Sequence, residues 1–157
     1  MTRPVTTPEH TYDDRPSPGH VRPPGVDDAT VEALGKISES LEAVEVARGF
    51  LYGFHRLSGT ADLTLQDAVA RLREAGHAEL ADDIEVDLVG RNVLAGRWTF
   101  QIVEEYDDGY YAAFKRLEKE ARDTLVEGKR HLYESEMKEA RRTQGRHGHE
   151  RRPEPGA

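Results

Sequence analysis

The densest chemistry in the chain is the run Glu104-Glu105-Tyr106-Asp107-Asp108. On a helix, Glu104 shares a face with Asp108 at i,i+4 and with Asp107 at i,i+3. Carboxylates that face a histidine inside a four-helix bundle are how di-iron and di-manganese centres are built, with a Glu-x-x-His on each of two helices. The chain has one such spacing, Glu74 to His77, and it straddles Gly76, a helix-ending residue type. No metal and no other cofactor is therefore expected. The acidic run reads as a solvated face at the first turns of a helix, where negative charge is favoured.

The second concentration is Gly90-Arg91-Asn92-Val93-Leu94-Ala95-Gly96-Arg97-Trp98, which holds the single Trp and two Arg between glycines. A guanidinium grips a carboxylate or phosphate through two parallel bonds, and Trp98 can wall a pocket. The competing reading is an ordered connection in which the arginines pair with Asp82, Asp83, Glu104 or Glu105 and Trp98 anchors the core. Tyr52 and His55 fall near the end of the first long helix, opposite the acidic run. The candidate ligand site is thus Tyr52, His55, Arg91, Asn92, Arg97, Trp98, Glu104 and Asp108. No Ser/His/Asp constellation, P-loop, Gly-x-Gly-x-x-Gly or His-Glu-x-x-His is present. No reaction is assigned, and whether the chain is an enzyme stays open.

The elements that must position these residues are helical. Asp27-Asp28 offers caps, and Val31, Leu34, Ile37, Leu41, Val44, Ala47, Leu51 and Phe54 recur at steps of three and four. Ser58-Gly59 is expected to end this helix, and Thr64 with Asp67 to cap a second one that closes at Gly76. A third, with Leu80, Ile84 and Leu88, stops at Gly90. A fourth begins near Arg97 or Trp98 and runs to Gly128 through Tyr106, Tyr110 and Phe114. Gly109 inside it marks a weak point or a close packing contact, since Gly costs about 1 kcal/mol relative to Ala there. A last short helix covers His131 to Arg142. No useful β-alternation appears.

The expected fold class is all-α: an antiparallel helical bundle of two long helices, a short helical hairpin and a short C-terminal helix, with disordered arms. Residues 1–26 hold six of the eight prolines and read as a disordered arm. Residues 27–142 are the bundle domain, and 143–157 a disordered basic tail. The bundle half that holds Leu34, Ile37, Leu41 and Val44 looks under-covered, so dimerisation along that heptad-like stripe is expected.

Charge narrows the partners. Residues 27–127 carry 11 basic and 22 acidic side chains, whereas 128–157 carry eight and five. An acidic body repels a phosphate backbone, so nucleic acid is not expected to bind the body. The Arg-rich tail allows only weak, salt-sensitive contact, and it lacks the aromatics that stack on bases. The chain has no cysteine, no apolar run of membrane-spanning length and no apolar stretch after Met1 of the kind a secretory signal needs. The cytoplasm is the expected compartment. The expected role is association, as a homodimer or a protein-binding module; the alternative is a ligand-binding or catalytic bundle with its site at the 90–98 connection.

Overall fold

The computed structural model describes residues 15–152. Every regular element among them is helical: α1 (Asp28–Glu74), α2 (Ala78–Leu88), α3 (Thr99–Tyr106), α4 (Ala112–Val126) and α5 (Leu132–Arg141). A π-helical turn, Asp107–Tyr111, joins α3 directly to α4, and a 3-10 turn covers Pro18–His20. The one β-type pairing among the described residues is an isolated bridge between Leu94 and Arg97. No helix among the described residues is long and apolar enough to cross a membrane.

The start of α1 follows its cap. Asp27 Oδ1 accepts the Thr30 N–H at 2.8 Å, and the hydrogen bonds from Thr30 hold the Asp27 carboxyl below its ordinary range. The expected break at Ser58-Gly59 does not occur, and α1 runs on to Glu74. Neither residue forces a stop, because an interior Gly only costs about 1 kcal/mol. The Thr60 and Thr64 hydroxyls bond back to the carbonyls of Arg56 and Thr60 at 3.1 and 2.8 Å, the mid-helix habit of threonine. Thr64 is therefore no cap, and Asp67 takes Arg71 at 2.7 Å instead.

The true end of α1 is a Schellman turn. His77 N–H reaches the Leu72 carbonyl at 2.8 Å and Gly76 N–H the Arg73 carbonyl at 3.0 Å, with Gly76 at φ +88°. Arg73 then grips Asp82 at 2.6 Å and also Glu85 on α2. At the next stop, Gly90 (φ +70°) donates its N–H to Asp62 of α1 at 2.7 Å.

The chain divides into two units, one of residues up to 37 together with those from 119, the other of residues 38–118. In the first, Val31, Val126 and Leu132 form a buried cluster with Val26 and Leu34 packed against it. Residues 15–26 fall in this unit and make specific contacts within it. Arg22 holds Glu136 through two bonds of 2.9 and 2.7 Å and Asp28 at 2.7 Å, and Lys129 donates to the Val21 carbonyl at 3.0 Å. Val26 supplies apolar contact, and these bonds offset the ordering entropy that proline content alone does not. Residues 1–14 of the expected arm lie outside the described residues. The expected disordered tail likewise folds back as far as it is described: Thr143 N–H reaches His149 Nδ1 at 3.3 Å, and Arg151 approaches Glu139 at 3.5 Å. Residues 153–157 lie outside the description.

The 38–118 unit buries Val44, Val69, Ala81 and Val103. Leu34 and Val44, expected to face a second chain, are thus occupied within this one.

Candidate functional site

The eight candidate residues all fall in the 38–118 unit, but they do not converge. His55 Nδ1 lies 2.8 Å from Thr99 Oγ1. No carboxylate orients the other ring nitrogen among the described residues, so this imidazole–hydroxyl pair lacks the third member that activates a nucleophile. Arg97 is tied to Glu105, as the loop reading expected. Trp98 is not a core anchor: it is 59% exposed and packs on Phe100, with ring centroids 5.3 Å apart. It stands just before α3, where the Gln101 side chain accepts its N–H at 2.9 Å. Glu104 and Asp108 are exposed and border an open depression with Gln101 and Gly109. Among the described residues no group of three or more His, Asp or Glu is placed to hold a metal ion.

What α1 and the π turn bring together is a different set. Arg48 lies on Asp107 with both carboxylate oxygens engaged, at 2.7 and 2.8 Å. The Arg48 guanidinium carbon sits 4.8 Å from the Tyr52 ring centroid and 5.0 Å from that of Tyr111, and Lys115 covers Tyr111 at 4.2 Å. Tyr111 OH donates to Glu45 at 2.6 Å. The charge-assisted fork lowers the Asp107 carboxyl below its usual range and raises Arg48. The hydrogen bond to Glu45 and partial burial raise the Tyr111 phenol. This cluster satisfies its own charges. Its chemistry is that of a clasp between α1 and the helix that follows Trp98.

The widened turn contains Gly109, as a weak point predicts. The alternative of close packing does not hold, because an added Cβ there would meet nothing within 4 Å. Sequence reasoning placed Tyr52 near the acidic run and named Asp107 within that run, but missed Arg48 and Tyr111. The spacing Glu45, Arg48, Tyr52 marks one helix face, and it was the available signal.

Arg91 and Asn92 do line a cavity. A groove of about 620 Å³ runs along α1 past Ser58, Ala61, Asp62 and Leu65, and is closed by Leu88 and by Arg91 to Val93. Arg91 keeps clear of the acids. Among the described residues its hydrogen bond is a 3.4 Å contact with the Asp87 carbonyl. The α1 half of this groove was hidden from the sequence reading by the helix break assumed at Ser58-Gly59. On one continuous helix, Ser58, Asp62 and Leu65 share a face.

No family model, no curated protein and no solved structure matches the chain.

Proposed function

We propose that the chain works by association, as a homodimer built on the outward face of α1 within the 38–118 unit. One observation carries the reading. Positions 46, 50, 53, 57, 60 and 64 fall on one helical stripe and read Val, Phe, Gly, Leu, Thr, Thr, with no charge. Val46 is 60%, Phe50 76% and Leu57 69% exposed. A helix face turned to water is normally charged, and an uncharged, apolar one marks a contact surface. The opposite side of α1 is already used by Val44, Arg48, His55 and Asp62. Over Val46 to Thr64 the free stripe is about 27 Å long.

A second copy fits the stripe better than an unrelated partner because the face carries both bulk and gaps. Phe50 and Phe54 lie beside Gly49 and Gly53, where a Cβ would meet nothing within 4 Å. A two-fold pairing places the rings of one chain over the glycines of the other, the self-complementarity an isologous contact requires. The bundle in this reading is antiparallel. Its support is the falling order of the pairings along α1: Glu45 with Tyr111, Arg48 with Asp107, His55 with Thr99.

Light scattering with mass determination tests the proposal. The expected result is twice the chain mass for the native protein and one chain mass for Phe50→Glu and Leu57→Glu, with helical circular dichroism unchanged. A native monomer up to hundreds of micromolar overturns the homodimer. A dimer that survives both substitutions overturns the face.

A further inference from the structure

The groove between α1 and the segment after α2 lies off the stripe just described, and its chemistry is one-sided. Its walls are apolar: Ala61, Leu65, Leu88 and Val93, with Leu88 and Val93 left 53% and 48% exposed. Its volume, about 620 Å³, falls inside the range of roughly 300–1,000 Å³ usual for small-molecule sites.

The polar groups of the lining divide into committed acceptors and uncommitted donors. Asp62 is committed, because its two oxygens accept the Gly90 N–H at 2.7 Å and Gln66 Nε2 at 2.8 Å. Its place is to hold the loop against α1. Ser58 and Asn92 side chains hold no hydrogen bond among the described residues, and Arg91 has only its long contact with the Asp87 carbonyl. Arg48, Arg71, Arg73 and Arg97 in the same unit each hold a carboxylate; Arg56 and Arg91 hold none among the described residues, and of these two only Arg91 lines the apolar groove. Asp62 already spends one bond on each oxygen in holding the loop, whereas the Arg91 fork is open. A ligand carboxylate finds a planar fork of donors whose geometry matches its own.

We propose that this groove binds an amphipathic organic carboxylate, its apolar body along Leu65, Leu88 and Val93 and its carboxylate on Arg91. Asp62 opposes the ligand's charge at short range while positioning the loop, so its neutral isostere strengthens binding.

The test titrates octanoate into the full chain by calorimetry and by amide chemical shifts, with 1-octanol, acetate and octylamine as comparison probes. Octanoate is expected to saturate one site per chain and shift amides in 58–65 and 88–93. Octanol, which lacks the charge, and acetate, which lacks the tail, are expected to bind at least tenfold more weakly. Arg91→Ala and Arg91→Gln are expected to weaken octanoate tenfold or more with circular dichroism unchanged. Arg56→Ala, which removes the same charge from α1 outside the groove, stays within twofold. Asp62→Asn tightens octanoate two- to threefold. Absence of a saturable shift overturns the proposal, as does an equal loss in Arg56→Ala, which would mean diffuse charge attraction. Tighter binding of octylamine than of octanoate, weakened by Asp62→Asn, assigns the groove to cations and overturns it as well.

Discussion

The two units of the chain are held by different means. In the unit formed by the two ends, three side chains close on one another at 3%, 1% and 5% exposure (Val31, Val126 and Leu132), and Arg22 fastens the preceding segment over them through Glu136 and Asp28. The 38–118 unit also buries Val44, Val69, Ala81 and Val103, but it adds the Arg48–Asp107 fork between two tyrosine rings and leaves Phe50, Leu57, Val86 and Trp98 mostly outside. Apolar area removed from water contributes about 25 cal/mol per Å², and Phe50, Leu57, Val86 and Trp98 leave most of that contribution unused. A unit with apolar surface to spare is where binding is expected, and both the α1 stripe and the groove at Arg91 fall there.

Substitutions can break this contrast. The largest expected effect is in the apolar cluster: Leu132→Ala should cost about 3 kcal/mol in urea unfolding, through lost burial and a residual cavity. Arg48→Ala comes next, with a smaller loss than Leu132→Ala, because it removes a charge-assisted fork and leaves Asp107 without its partner. Arg48→Lys should recover only part of that, since an ammonium cannot make both bonds. If Arg48→Ala proved costlier than Leu132→Ala, the contrast between an apolar and a polar fastening would fail.

Acid sharpens the same point. The Asp107 carboxyl is lowered by its bonds to Arg48, so its ionised form is favoured in the fold. That contribution is complete above the ordinary carboxylate value of about 3.9 and is lost as pH falls through the lowered one. Native protein should therefore lose more stability between pH 6 and pH 3 than Asp107→Asn does, measured by urea unfolding at both. Equal losses would show that other carboxylates carry the acid response. The smallest effect is a gain. Gly109→Ala should stabilise the chain by about 0.5 kcal/mol, because the added methyl group meets nothing and restricts the unfolded chain; a loss there would mean the π turn needs glycine.

Much of the local structure was legible in the chain itself. The stops at Gly76, Gly90 and Gly128, the cap at Asp27 and the helix start beside Trp98 follow from residue-specific backbone and hydrogen-bonding preferences. Arg91 and Asn92 were legible as groove residues for a similar reason: a connection between two helix ends, rich in donors, tends to line a concavity.

Other features depended on neighbours that sequence spacing does not name. Ser58 lines the groove beside Leu88 and Arg91, and Asp62 takes the Gly90 N–H one turn further on; contacts of this kind outweigh a propensity of about 1 kcal/mol, and Ser58-Gly59 stays helical. Arg48 selects Asp107 from the four acids of the run 104–108 because the turn that carries it faces α1, whereas Glu104 and Asp108 stay exposed. The contact of the 15–26 segment through Arg22 depends on Glu136, more than a hundred positions away. Sequence alone determined that this chain is helical and where most helices end, since those choices are local and repeat with the turn of the helix. Which faces pair, which stay free and which arginines lack an acid were decided only by tertiary structure, because each is a competition among distant groups that no local spacing ranks.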